Sequence, residues 1–505
     1  MKVVLLISLV LSFFAYSAFA ILSPGYGVGT TDFDWLRNGS LGKVVVLDGQ
    51  HGVHVYWTFR TGGDPNTRRG YYNFKDETGN WVFAHIGTGV DGRVSSRMGS
   101  LAVLSDGRAC VAAHASIGTG VWVDAARGAG AFSDPYEVDP NNPADPIWPI
   151  IAKGGNDVLH VNGVTNGQPN HWYSRSTDLG QTWSPWFQLC DDGLGGGWNT
   201  LTAQGSKVAW VYPDTNYQLF YKESTDGGSN WGAKTLIDPG DTTESRLFQD
   251  ALYSPSGELH VVFDVRDTTL GSTRAQIRHW SSSTGVSLVR SGWWESKPGA
   301  NHGSVACPQI GYNSRTNTWW CTWVEFTLAD TGANGWSNGE VWAAYSADGG
   351  RTWRGHRNLT NTPTPGAPAG ACADDRYASL AAVVDDTLRV LYLSSFDAGS
   401  SQYESGAVTV DTMRYYELFG PPGVEEEIST TLNPASAKPT IFPNPFVSFA
   451  TVPGHETENF ELYDISGRRV GTYRGARIGQ DVGPGVYFVR AKGETGITAR
   501  VVKVR

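Results

Sequence analysis

The sequence predicts an all-β chain built from repeated four-stranded units, a β-propeller of seven blades. Three observations carry that reading. A tight-turn motif occurs three times, apolar strands recur at near-50-residue intervals, and 505 residues hold 62 Gly and 20 Trp but only 17% charged side chains.

The motif is Ser-x-Asp-x-Gly-x-x-Trp, at residues 176–183, 224–231 and 346–353. Its chemistry is that of a hairpin turn. Asp178, Asp226 and Asp348 can accept hydrogen bonds from backbone N–H groups, the glycine tolerates φ > 0, and the tryptophan buries a large surface against a neighbouring unit. These aspartates are scaffold residues, and each copy follows an aromatic-rich strand, so each marks one repeat. In the fifth unit residues 280–285 hold the same place without the aspartate.

Units begin near Val44, Leu101, Ile150, Leu201, Asp250, Pro308 and Ser379, and each has a second strand of alternating apolar residues, for example 53–57, 208–211 and 388–392. In a four-stranded antiparallel unit the connections between strands one and two and between strands three and four lie on one face. Those between strands two and three and between units lie on the other. The motifs occupy the first face. A functional site is therefore expected on the second, where the long connections 60–70, 139–148, 327–339 and 355–378 converge.

The net charge is −10, and residues 434–505 carry a basic excess, so the preceding part is still more acidic. Nucleic acid and anionic membrane, which need clustered Lys and Arg, are excluded as partners. Residues 1–20 read as a secretory signal: Lys2, a short apolar run, then Ala18-Phe19-Ala20. No other stretch is long enough to span a bilayer, so no transmembrane segment is expected after signal removal. The expected location is secreted or outer cell surface. Of five cysteines, Cys307 and Cys321 fall on successive strands of one hairpin, where a disulfide and buried small-residue packing are both open readings. No cofactor is expected; the oxygen-rich loop 139–145 is the one calcium candidate, without EF-hand spacing.

A Glu, Ser, Thr and Pro-rich linker covers 421–439, followed by a module at 440–505 with strands at 441–446, 460–470, 485–490 and 500–505. The domains are thus a signal (1–20), a propeller (21–420), the linker and the C-terminal module.

The turn motif matches the Asp-box, or BNR, repeat, and residues 21–420 resemble sialidase-like Asp-box β-propellers. Sialidases are six-bladed, so the resemblance leaves six blades as an alternative. It implies a protein that acts on or binds extracellular glycans or glycoproteins, and for a hydrolase it implies an arginine triad holding a substrate carboxylate, an aspartic acid/base, and a tyrosine nucleophile activated by glutamate. Carried onto this sequence, Arg97, Arg246 and Arg376 precede three first strands, with Trp148 and His302 beside them. Asp374 or Asp375 would be the acid, Tyr377 the nucleophile, and Glu325 or Glu244 its activator. The flanking residues of Arg60 and Arg97 lack the Ile-Pro of the family pattern. Two other readings stand beside it: a propeller-type polysaccharide lyase using His, Tyr and Arg, and a non-catalytic binding module in which Trp57, Trp148, Trp198 or Trp336 stacks on sugar rings. The C-terminal module resembles the sorting domain of the type IX secretion system, which implies an immunoglobulin-like β-sandwich recognised by secretion machinery.

Overall fold

The computed structural model describes residues 23–419, apart from 93–94, 241–242, 270, 300 and 404–405, and residues 441–504, apart from 442–445, 453–455, 465–467 and 493–498. The expected signal and linker lie outside the described residues. The chain divides into two compact units, 1–425 and 426–505.

The first unit is nearly all β. Among the described residues seven antiparallel sheets follow one another along the chain; in the first six, four strands pair in sequence order, and the fifth carries an additional short strand, Glu244–Ser245, paired with Leu259–Asp267. Their first strands are Val45–Leu47, Arg97–Val103, Ile147–Lys153, Thr200–Gln204, Gln249–Tyr253, Val305–Asn313 and Asp374–Leu380. Each first strand packs against that of the next sheet, and Val45–Leu47 also packs against Thr387–Ser395, the second strand of the seventh. The seventh sheet takes its outermost strand from the start of the chain: Tyr26–Thr31 pairs antiparallel with Asp411–Phe419. The arrangement is propeller-like.

Residues 37–44 explain how the first strands are held together. Arg37 is buried and donates to the carbonyls of Met98, Trp148 (3.0 Å) and Pro149 (3.1 Å) in the second and third sheets. Ser40 N bonds Gly197 O at 2.9 Å, just before the fourth sheet, and Ser40 Oγ accepts from Gln249 N in the fifth at 3.1 Å. Lys43 Nζ pairs with Asp250 at 2.5 Å and donates to Ile310 O in the sixth at 2.8 Å, and Val44 N donates to Ser379 Oγ in the seventh at 3.2 Å. One short segment therefore satisfies polar groups at the inner edge of six sheets, where unpaired ones would be costly.

Four first strands begin three to five residues before the apolar alternation suggests, because each contains a bulge. The register slips between Arg97 and Ser100, Ile147 and Ile150, Ala306 and Gln309, and Arg376 and Ser379. At these slips Met98, Trp148, Cys307 and Tyr377 have φ of 51–55°. A left-handed residue breaks the two-residue period, so the pattern is lost where the strand starts. The expected loop 327–339 is also largely strand: Thr318–Thr331 and Ser337–Ser346 form a long hairpin with a register shift.

All three Ser-x-Asp-x-Gly-x-x-Trp turns join third and fourth strands, as strand parity requires. In the first, Ser176 Oγ donates to Asp178 at 2.7 Å and accepts from Gly180 N at 2.9 Å, while Asp178 accepts from Thr182 N at 2.9 Å and Thr182 Oγ1 at 2.6 Å. Asp348 repeats the set with Ser346, Gly350 and Thr352, and Asp226 with Ser224, Gly228 and Asn230. The turn needs two successive left-handed residues, Leu179–Gly180, Gly227–Gly228 and Gly349–Gly350. All five cysteines carry free, buried thiols, so the Cys307–Cys321 disulfide does not form.

The second unit has one antiparallel sheet ordered Arg469–Arg474, Asn459–Tyr463, Gly485–Ala491, Ala499–Lys503. Its own core includes Phe446, Phe460, Leu462, Val489 and Val501. The expected single strand 460–470 is divided between two strands, Asn459–Tyr463 and Arg469–Arg474, which pair antiparallel. Of the expected strand 441–446 only Ile441 and Phe446 are described, and both are buried.

Candidate functional site

On the face opposite the Ser-x-Asp turns, a cleft of 450 Å³ opens between the fifth and sixth sheets. Its walls include Thr273, Glu295, Lys297, Leu328 and Trp336, and its floor reaches His302. Glu295 and Lys297 are exposed, Leu328 is exposed, and Trp336 is half-buried. The indole is held in place because Trp336 N donates to Asn334 Oδ1 at 3.0 Å and Gly399 leaves room that a Cβ would fill at 2.9 Å from the ring.

Beneath the cleft, two Asp-x-Arg sequences fix two guanidiniums. Strand alternation puts residues i and i+2 on one face, so Asp264 meets Arg266 at 2.6 Å and Asp374 meets Arg376 at 2.5 Å. Each aspartate is anchored by backbone N–H groups: Asp264 by Leu247 (2.9 Å) and Phe248 (2.8 Å), Asp374 by Gly339 (2.6 Å) and Gly399 (3.1 Å). Each guanidinium also lies over a phenyl ring, Arg266 over Phe248 at 4.8 Å and Arg376 over Phe326 at 4.9 Å. His302 stacks against both rings, with centroids 5.5 Å away in each case. Arg376 further donates to Pro298 O, on the cleft floor, at 2.6 Å.

Burial, followed by the charges of Arg376 and Arg266, holds the His302 imidazole well below its ordinary pKa, so it is neutral. Cys307 Sγ lies 3.3 Å from its Nε2. Burial pushes Asp374 up to about 6 against the pull of Arg376, and Asp375 up to about 7.

The structure brings Asp374, Arg376, Tyr377 and His302 together; the Tyr377 and His302 rings are 5.2 Å apart. It places the other expected residues elsewhere. Asp375 points to the opposite face of the strand, where Thr362 Oγ1 donates to it at 3.1 Å. The local ion pair of Arg376 is therefore with Asp374. Glu325 is held by Arg290 at 2.7 and 3.0 Å and by Trp323 Nε1 at 2.8 Å, so its carboxylate serves that arginine and indole instead of activating Tyr377. Arg246 is buried between Asp238 (2.8 Å) and Glu244 (2.7 Å), which also occupies Glu244. Arg97 is half-buried beside His114 at 3.5 Å. None of the three expected triad arginines lines the cleft. Arg97 and Arg246 are engaged by groups near their own strands, and Arg376 by Asp374, Pro298 and His302.

Trp148 is half-buried and edge-on to His114 at 6.4 Å. Trp57 and Trp198 are core residues, leaving Trp336 as the expected stacking residue that reaches the cleft. In the calcium candidate loop, Asp139 accepts from Trp186 N at 3.0 Å and 139–145 forms two consecutive turns. Among the described residues no group of three or more His, Cys, Asp or Glu is arranged to hold a metal. Sequence reasoning missed Arg266, whose signal was the Asp-x-Arg spacing shared with Arg376. It also missed Arg37, which had no signal at all.

No family model and no curated protein matches this chain. Solved structures similar to it include an ulvan lyase described as a new family of polysaccharide lyase, at 10% identity over 79% of this chain and 96% of that one, with a TM-score of 0.47. A Hadza microbial sialidase is 15% identical over 70% and 74%, with a TM-score of 0.38. The Penicillium chrysogenum α-L-arabinanase is 12% identical over 78% and 98%, with a TM-score of 0.39.

Proposed function

We propose that the first unit is a closed seven-bladed Asp-box propeller that binds extracellular glycans in the cleft between its fifth and sixth blades. The observation that carries the proposal is the placement of the Trp336 indole beside polar Thr273, Glu295 and Lys297 in a cleft of 450 Å³ on the loop-rich face. A sugar ring offers an apolar C–H face and a hydroxyl rim, which those two kinds of wall complement. The hub contacts of residues 37–44 support the seven-fold closure. Export and surface display through the 440–505 module, as an immunoglobulin-like sorting domain, is part of the same reading.

A hydrolase of sialidase type receives less support, because Arg97, Arg246 and Arg376 serve separate internal partners. A lyase-type elimination has one observation in its favour, the neutral His302 beside Arg376 and Tyr377 beneath the cleft. One experiment separates the readings: a glycan array run in parallel with turnover assays on sialosides and on uronate polymers. Binding without turnover is the expected result. Release of sialic acid, or of unsaturated uronic products absorbing in the ultraviolet, would replace the binding reading with the corresponding enzyme.

A further inference from the structure

A second cavity, of 230 Å³, lies on the sixth sheet, lined by Asp330, Asn338, Glu340 and Trp342 among others. Its polar groups do not balance. Asp330 is 7% exposed and Asn338 1% exposed. Asp330 Oδ1 accepts from Asn338 Nδ2 at 2.8 Å and Thr364 N at 2.9 Å, but its other oxygen, Oδ2, meets no donor. The bond from Asn338 Nδ2 fixes which way the amide points, and leaves Asn338 Oδ1 without a donor too.

The surrounding charge is of one sign. Glu340, close enough for its charge to act on Asp330, accepts from Thr360 Oγ1 at 2.5 Å and Thr362 N at 2.7 Å. Thr362 also links Glu340 to the buried Asp375. Among the described residues no Lys or Arg pairs with Asp330, Glu340 or Asp375; the nearby Arg290 is already bidentate on Glu325. Buried carboxylates without a counter-charge are costly, and two buried oxygens facing no donor lose their hydrogen bonds as well. Oxygen-only donors of this kind suit a hard cation.

We propose that this cavity is a binding site for a calcium-type divalent cation, with Asp330 Oδ2 and Asn338 Oδ1 as protein donors, Glu340 supplying further negative charge, and water completing the shell. The site is independent of the glycan reading. It would clamp the tip of the long hairpin Thr318–Thr331 and Ser337–Ser346, where Leu328 and Trp336, two residues from Asp330 and Asn338, bear on the glycan cleft.

The test uses full-length protein stripped with a chelator. Adding calcium in the millimolar range should raise Tm by a few degrees, since a ligand that binds only the folded state stabilises it. Terbium should give emission sensitised by tryptophan and displaced by calcium. Both responses should vanish in Asp330→Asn and persist in Asp139→Asn, a control in the other oxygen-rich loop. If Asp330→Asn fails to fold, Trp342→Phe should abolish most terbium emission while keeping the calcium shift in Tm. An unchanged Tm in calcium, or responses lost in Asp139→Asn and kept in Asp330→Asn, would overturn the proposal. So would terbium emission unaffected by Trp342→Phe.

Discussion

Arg376 Nη1 lies 3.4 Å from His302 Nδ1, and because a guanidinium can only donate, the imidazole accepts at that nitrogen and carries its proton on Nε2. The pair links the floor of the cleft to the carboxylate of Asp374. Removing the guanidinium would leave Asp374 buried without its counter-charge and the Pro298 carbonyl without its closest donor. Arg376→Met should therefore destabilise the first unit by about 3–5 kcal/mol, measured by urea unfolding. A loss under about 1 kcal/mol would mean that Asp374 takes up a proton instead.

Trp336 is the residue that tests the cleft without disturbing the core. Trp336→Ala should weaken glycan binding about tenfold, roughly 1.4 kcal/mol, with Tm almost unchanged. Calorimetry with an array-selected oligosaccharide reads the first quantity and thermal unfolding the second. Equal binding by the variant would remove the cleft as the binding site.

The three Ser-x-Asp turns should behave as stability elements. Burial opposes ionisation of Asp178, but its bonds from Thr182 and Ser176 outweigh that and hold its pKa below the usual carboxylate value. Asp178→Ala should cost about 1–2 kcal/mol at neutral pH and leave glycan binding intact. A depressed folded pKa means that the aspartate stabilises above its unfolded value and that the contribution is lost as pH falls below about 4. The difference from the parent should therefore shrink in acid.

Asp411 predicts the opposite pH dependence. It is buried, accepts from Thr409 Oγ1 at 2.5 Å and from Ser395 Oγ and Phe396 N at 3.1 Å, and burial pushes it up to about 7. The folded state then holds a proton that the unfolded state releases near pH 4, so stability from this group falls as pH rises from about 4 to about 7 and is level above. Asp374 and Asp375 add to the same slope. Melting scans across that range should show the decline, and Asp411→Asn should flatten part of it. A parent Tm rising steadily to pH 8 would contradict the assignment.

Deleting residues 434–505 should leave the first unit folded, because the second has its own core. If the module is a sorting domain, the truncated protein accumulates in the periplasm. Fractionation decides it, and normal surface appearance would end the sorting role.

The repeat was legible because it rests on local signals. Turn chemistry at Asp178, Asp226 and Asp348 and period-two strands are written in neighbouring residues, and the order of the seven sheets follows. The site was less so. Arg376, Asp374, Tyr377 and His302 were picked out, but the sequence does not say that Asp374, two residues away, has claimed Arg376, nor that Arg290 has claimed Glu325. Those pairings depend on which face of a strand a residue occupies, and the left-handed residues at Met98, Trp148, Cys307 and Tyr377 reset that face where it mattered. Arg37 was illegible because its partners are carbonyls, which every residue possesses.

The pairing of Tyr26–Thr31 with Asp411–Phe419 joins segments some 385 residues apart. The last sheet cannot be completed until the chain has been made past Phe419, so a nascent chain carries an unpaired strand edge until then. The final pairing is thus a timer. It makes the interval before docking, when the partner edges lie open, the period of greatest exposure to proteolysis and to mispairing between copies.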